Sequence, residues 1–140
     1  MKENKIVIKI KKEVSEVFEY SINPANSPLW AGGIEKEETN EWPPKKGTVY
    51  RNVDADGRWS EYRVSDFEKD RVFELTSKDG NYHARYTYKA DDAGTALEYF
   101  ERVDKGELDK PFDREHLDKL RNLIENNEES TGYSASGTKT

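Results

Sequence analysis

The sequence of 140 residues predicts one α+β domain in which a helix near the C-terminus covers an antiparallel sheet. Two observations carry this prediction. Beyond Gly33, runs of alternating apolar and polar residues are separated by the Pro, Asp and Gly pairs that form tight turns. From Phe112 to Ile124, the apolar residues instead recur at helical spacing. A second domain is not expected, because a domain typically takes about 100 to 150 residues.

The first part of the chain predicts a strand followed by two helices. Residues 5–11 alternate apolar and basic side chains, which places the isoleucines on one face of a strand. From Glu13 the apolar residues recur at helical spacing until Pro24, where the proline ends the helix. A second, short helical turn is predicted over residues 25–30, before two glycines break the chain.

Six more strands follow and bring the predicted total to seven. They cover residues 34–38, 48–54, 59–67, 71–77, 81–90 and 95–103. In the last two, alternation places Tyr86, Tyr99 and Glu101 on the face that is expected to be concave. His83 falls on the opposite face and is predicted to be exposed to solvent. The charged residues over 35–41 are interpreted as a solvated edge that discourages pairing with another sheet.

The last predicted element is a helix over residues 112–126, about 22 Å long. Asp109 or Asp113 is the expected N-cap, because a carboxylate there accepts a bond from a free N–H of the first turn. Residues 127–140 hold few apolar side chains and are expected to be disordered. The predicted organisation is a folded domain over 1–126 followed by this tail.

The composition limits the core and excludes several classes of protein. Leu, Ile, Val and Phe are scarce, but 8 Tyr and 3 Trp predict a thin, aromatic and partly polar core. A net charge of -6 without basic clusters argues against nucleic acid as a partner. With no Cys, no long apolar run and no signal-peptide pattern, we expect no membrane insertion and a cytoplasmic protein. No cofactor or metal is expected, and the protein is expected to be a monomer or homodimer.

Several short motifs occur in an order that resembles the START-like (SRPBCC) superfamily, in particular its polyketide cyclase/dehydrase and lipid-transport branch. The opening motif of that branch resembles Val17-Phe18, Asn23-Pro24 and Pro28-Leu29-Trp30. The later matches are Gly47, Val64 with Asp66-Phe67-Glu68, Ala93-Gly94-Thr95 with Leu97, and Leu120 with Leu123-Ile124-Glu125. They span residues 5–126, and their order carries the specificity because each motif is short.

The resemblance implies a helix-grip fold, a curved seven-stranded antiparallel sheet wrapped on a C-terminal helix with two short helices after the first strand. It also implies a cavity between the sheet and that helix, of the kind that holds lipids, polyketides or other hydrophobic molecules. Between Val103 and Leu120 this chain is shorter than the family pattern. We therefore expect a short gripping helix and a shallower or more open cavity.

The candidate ligand-binding residues are those expected to face such a cavity. They are Trp30, Tyr62, Tyr86, Tyr99, Glu101, Phe112, His116 and Leu120. A tyrosine in this position fills volume and offers a hydroxyl to a polar ligand atom, although half-buried tyrosines are also common in strands. The alternative for Trp30 is a packing role between the short helices and the sheet.

Glu101 and His116 are the candidates for acid–base chemistry. A buried carboxyl must be paired or have a raised pKa, which makes it a usable proton donor or acceptor. A solvated strand end or a β-bulge would remove that role from Glu101. His116 lies on the apolar stripe of the last helix, where it either exchanges a proton near neutral pH or is an ordinary, partly exposed helix residue. Facing each other across a cavity, the two would form a carboxylate–histidine pair.

Three functions follow as alternatives. The first is a binding module for a small hydrophobic or amphipathic ligand. The second is an enzyme of the cyclase or dehydratase type that uses acid–base chemistry without a metal. The third is a protein-interaction domain similar to the activators of a heat-shock ATPase chaperone, which a solid core with an exposed apolar patch would favour.

Overall fold

The computed structural model describes residues 1–127 and contains a seven-stranded antiparallel sheet with three helices. The elements are β1 (Glu3–Ile10), α1 (Val14–Ile22), α2 (Ser27–Trp30), β2 (Lys36–Thr39), β3 (Val49–Val53), β4 (Trp59–Glu68), β5 (Val72–Ser77), β6 (Tyr82–Asp91), β7 (Gly94–Val103) and α3 (Arg114–Glu125). Every predicted strand and helix is present, with small differences at the ends. The predicted disordered tail, apart from Asn127, lies outside the described residues.

The sheet order is β1-β7-β6-β5-β4-β3-β2, and every neighbouring pair is antiparallel. Strands β2 to β7 therefore form a continuous meander, and β1 joins it beside β7. The two edges of the sheet are β1 and the short β2. Within residues 1–127, no helix is both long and apolar enough to cross a membrane.

The core lies between the concave face of the sheet and the helices. Alternation turns Ile8 and Ile10 of β1 and Leu97 of β7 toward α3, whose Leu117 and Leu120 are fully buried. Helix α3 packs mainly on β1, α1 and α2, so it covers only the β1 end of the sheet. The expected aromatic and partly polar character is present, since the rings of the cluster meet edge to face and a few buried side chains are polar.

The start of α3 agrees with one of the two predicted caps. Asp113 is the N-cap, and its carboxylate accepts a bond from the backbone N–H of His116. The helix begins two residues later than predicted and is about 18 Å long at ~1.5 Å per residue. The expectation of a short gripping helix is therefore met.

One prediction about the sheet was wrong, and one irregularity was not predicted. The β4–β5 register shifts between Val64 and Asp66, so Phe67 packs against the core on the same face as Tyr62 and Val64. His83 is on the outer face as predicted, but its side chain is only 13% exposed. Its ring lies between the Thr76 hydroxyl at 3.0 Å and the Asp104 carboxylate at 3.1 Å, so cross-strand polar neighbours cover it.

Candidate functional site

A cavity of about 180 Å³ lies between the concave face of the sheet and the segment that carries α2. The residues that line it are Ser21, Ile22, Ser27, Trp30, Ala31, Ile34, Glu37, Tyr50, Asn52, Tyr62, Phe73, Leu75, Tyr82, Ala84, Tyr86, Tyr99 and Phe112. No residue of α3 is among them. The implied position between the sheet and the C-terminal helix was therefore wrong, because α3 packs on β1 while the helical side of the cavity is formed by the end of α1, α2 and the residues after α2.

About half of the residues that line the cavity are aromatic, and their rings contact one another around it. Tyr86 is central to this arrangement, with its ring centroid 5.1 Å from that of Tyr99 and 5.9 Å from that of Phe73. Trp30 approaches both Tyr86, at 6.5 Å, and Phe112, at 6.0 Å, in edge-to-face geometry. Trp30 thus lines the cavity and also packs between α2 and the sheet, so both alternatives for this residue describe its position.

Glu37 of β2 places a carboxylate at the cavity. Its two oxygens accept hydrogen bonds from the Ser27 hydroxyl at 2.5 Å and from the Asn52 side-chain amide at 3.2 Å. Burial raises the pKa of Glu37, and these two hydrogen bonds oppose that rise. A carboxyl with this environment is a candidate for proton exchange or for binding a donor.

One further polar group of the cavity wall has no hydrogen-bond partner within residues 1–127. It is the indole N–H of Trp30, which is buried. Buried polar groups are ordinarily paired, so this N–H is available to a polar atom of a bound molecule.

Glu101 has a different environment from the one that a cavity acid needs. It is 2% exposed, and its carboxylate accepts hydrogen bonds from the Tyr82 hydroxyl (2.6 Å), the Tyr99 hydroxyl (3.3 Å), the Asn4 amide (2.7 Å) and the backbone N–H of Phe112 (2.6 Å). These donors surround both oxygens. The arrangement fastens β1, β6 and the segment before α3 to β7, and it leaves Glu101 outside the cavity lining.

His116 is held at the first turn of α3. Its ring stacks on Phe112 with centroids 4.6 Å apart, and its Nδ1 lies 3.1 Å from the Asp113 carboxylate. Neither Glu101 nor His116 lines the cavity, and they do not hydrogen-bond to each other within the described residues. The structure therefore does not form the carboxylate–histidine pair that would have joined them across a cavity.

The remaining predicted site residues divide between wall and core. Trp30, Tyr62, Tyr86, Tyr99 and Phe112 line the cavity. Leu120 is fully buried in the core beneath α3 and does not reach the cavity. Whether any of these residues contacts a ligand stays a prediction.

Glu37, Ser27 and Asn52 were missed by the sequence analysis. Glu37 was included in the charged run interpreted as a solvated edge, and β2 is indeed an edge strand, but this side chain turns inward. The pairing of β2 with β3 sets Glu37 opposite Asn52, on the same face as Tyr50. The sequence did not predict this register, because charged residues occupy both faces of β2.

Comparison with known proteins extends the description of the fold. No family model and no curated protein matches the sequence. Among solved structures, XoxI from Bacillus cereus matches with a TM-score of 0.69 at 15% identity, covering 90% of this chain and 97% of that chain. An AHSA1-like protein from Aeromonas hydrophila matches with a TM-score of 0.64 at 13% identity, covering 88% of this chain and 92% of that chain.

A polyketide-cyclase-like protein from Corynebacterium glutamicum matches with a TM-score of 0.55 at 22% identity, covering 72% of this chain and 64% of that chain. At these identities the likeness establishes the fold alone. The chain has a START-like, helix-grip fold, and the predicted fold class and resemblance are confirmed.

Proposed function

We propose that the protein binds a small amphipathic molecule, of about the size of a single ring, in the cavity between the sheet and α2. The observation that carries this proposal is the cavity's wall of aromatic side chains with the Glu37 carboxylate among them. A second depression, lined by residues 11–15, 70 and 90–94, is more open to solvent and has no aromatic side chain in its lining. Most of its lining residues are charged or polar.

The volume of the cavity limits the size of the ligand. Pockets for drug-sized molecules typically start near 300 Å³, and the cavity volume of about 180 Å³ is smaller. A protein cavity of about 150 Å³ holds one benzene molecule. The proposed ligand is therefore smaller than the lipids or polyketides that the resemblance suggested.

An acid–base enzyme is the second candidate, and one observation favours it. Glu37 is the cavity carboxyl whose pKa is raised by burial, so a proton-transfer role would fall on Glu37 rather than on Glu101 or His116. Chemical conversion of a bound ligand, lost in Glu37→Gln, would support this candidate. The protein-interaction alternative depended on a solid core and loses that support because a cavity is present.

The binding proposal is tested by titrating the full chain with small neutral ring compounds, such as benzyl alcohol and cyclohexanol, and following the amide NMR spectrum. We expect saturable shifts in residues of the cavity wall. Ala84→Leu places extra carbons in the cavity, and we expect it to weaken binding at least tenfold. Ala96→Leu is the matched control, because Ala96 is also a strand residue and does not line the cavity.

If Ala84→Leu fails to give a folded spectrum, Leu75→Phe replaces it, since Leu75 also lines the cavity and is only half-buried. The proposal fails if the wild-type protein shows no saturable binding, either of these neutral compounds or of a small cation such as choline. It also fails if the folded cavity-filling variant binds as tightly as wild type.

A further inference from the structure

The cavity wall has the chemistry of an aromatic cage. Eight aromatic side chains line it: Trp30, Tyr50, Tyr62, Phe73, Tyr82, Tyr86, Tyr99 and Phe112. The face of an aromatic ring carries negative potential, so rings that surround a small space attract a cation placed among them. Cages of this kind recognise quaternary ammonium groups.

The polar part of the wall carries negative charge without a positive partner. The Glu37 carboxylate accepts its hydrogen bonds from two neutral groups, the Ser27 hydroxyl and the Asn52 amide. No Lys, Arg or His is among the described residues that line the cavity. Glu37 is half-buried, and a carboxylate that is partly removed from water is stabilised by a cation beside it. A ligand can supply the positive charge that the cavity lining lacks.

The negative field of Glu37 extends across the cavity. After burial, which is the largest cause, the charge of Glu37 contributes to the raised pKa of Tyr50 on β3. It contributes in the same direction to the pKa of Tyr62 on β4, after burial and an opposing hydrogen bond from Ser60, and to the pKa of Tyr86 on β6, after burial and the charges of Tyr88 and Tyr82. The same field would stabilise a bound cation. It would repel a carboxylate or phosphate.

We propose that the ligand is a small organic monocation, a quaternary ammonium or a protonated amine, whose positive group lies between the aromatic rings and the Glu37 carboxylate. This inference rests on the proposed function of the cavity. The volume of about 180 Å³ restricts the cation to a compact molecule with few heavy atoms beyond the charged group. A neutral ring compound would gain the apolar contacts and leave the carboxylate without a positive partner.

The experiment compares two probes of the same shape that differ in charge. Choline carries a trimethylammonium group, and 3,3-dimethyl-1-butanol replaces its nitrogen with carbon. Isothermal titration of the full chain, at constant ionic strength, gives the Kd for each. We expect choline to bind at least fivefold more tightly, since a desolvated cation–π contact and a carboxylate both act on it.

Two variants assign the preference to the cavity carboxylate. Glu37→Gln keeps the shape and an oxygen acceptor but removes the charge, so choline should bind it at least fivefold more weakly while the neutral probe changes little. Glu38→Gln is the matched control, because this neighbouring carboxylate pairs with Arg51 and does not line the cavity. We expect wild-type affinities from it.

The possible results distinguish failure of the cation inference from failure of the proposed binding function. If the neutral probe binds as tightly as choline, or if Glu37→Gln leaves the preference intact, the cation inference is overturned and the binding function stands. If the neutral ring compounds, choline and its isostere all fail to bind, the proposed function fails with it.

Discussion

The Glu101 carboxylate accepts a 2.6 Å hydrogen bond from the backbone N–H of Phe112, while the Phe112 carbonyl accepts a 2.7 Å bond from the Asn4 amide. Asn4 also donates to Glu101. One buried carboxylate thus holds both backbone polar groups of Phe112, the N–H directly and the carbonyl through Asn4. The stability of the segment that leads into α3 therefore depends on Glu101, near the C-terminal end of β7.

The first prediction is that Glu101 contributes mainly to stability. Glu101→Leu leaves four donors around an apolar side chain, and we expect a loss of about 3 kcal/mol or more in the free energy of unfolding. Glu101→Gln should cost less, about 1 to 2 kcal/mol, because its amide oxygen still accepts hydrogen bonds. Urea unfolding measures both values.

The control is Glu98→Gln, on the opposite face of β7, which should change the free energy of unfolding little. A Glu101→Leu protein as stable as wild type would show that the carboxylate has no structural role.

The second prediction concerns Gly32, at the turn after α2. Gly32 and Gly33 both have positive φ, 62° and 75°, so an alanine at either position is strained. At Gly33 an added Cβ meets nothing, but at Gly32 it would lie 2.3 Å from Nε2 of His116. We expect Gly33→Ala to cost about 1 kcal/mol, and Gly32→Ala to cost measurably more.

The excess is assigned by a double-mutant cycle with His116→Ala. Removing the ring should make the two glycine substitutions similar in cost, because only the backbone strain then remains. If the excess persists without the imidazole, close approach of His116 is not the reason for glycine at this position.

The third prediction is a pH dependence caused by Glu37. Burial raises its pKa in the folded protein, with opposing contributions from Ser27 and Asn52. A carboxyl with a raised folded pKa stabilises the folded state below the unfolded pKa, and this contribution is lost as the pH rises through the folded pKa. The stability of Glu37→Gln relative to wild type should therefore increase as the pH rises above about 4.5.

Urea unfolding of wild type and Glu37→Gln between pH 4 and pH 8 measures this difference. The groups that face Glu37 and titrate are Tyr50, Tyr62 and Tyr86, whose pKa values are all raised above 10, and α2 contributes none. They stay protonated throughout the range. Glu38→Gln should follow the wild-type curve closely. A Glu37→Gln difference that is flat, or that falls with pH, would contradict the prediction.

The sequence predicted the fold because local patterns and turns agree along the chain. Alternation in β6 and β7 was sufficient to place Tyr86, Tyr99 and Glu101 on the concave face, and one of the two predicted caps, Asp113, is the N-cap of α3. The β4 irregularity at Ser65 could not be predicted, since one inserted residue leaves no compositional sign. Local pattern therefore determines which face a side chain takes until such a shift occurs.

The site was harder to predict than the fold. The cavity depends on how far α3 extends over the sheet and on which strand carries the facing carboxylate, and both are long-range relationships. Glu101 could be selected from the sequence because it is a charged residue on the otherwise apolar face of β7. Glu37 did not, because its strand is charged on both sides and only the pairing with β3 distinguishes inward from outward.

Strand β2 is four residues long, is paired only with β3, and carries the carboxylate of the cavity. Edge segments with few ladder bonds open locally at a lower free energy than central strands such as β6. Because β2 carries Glu37, we expect the proposed ligand, once bound, to slow amide hydrogen exchange in β2 more than in β6.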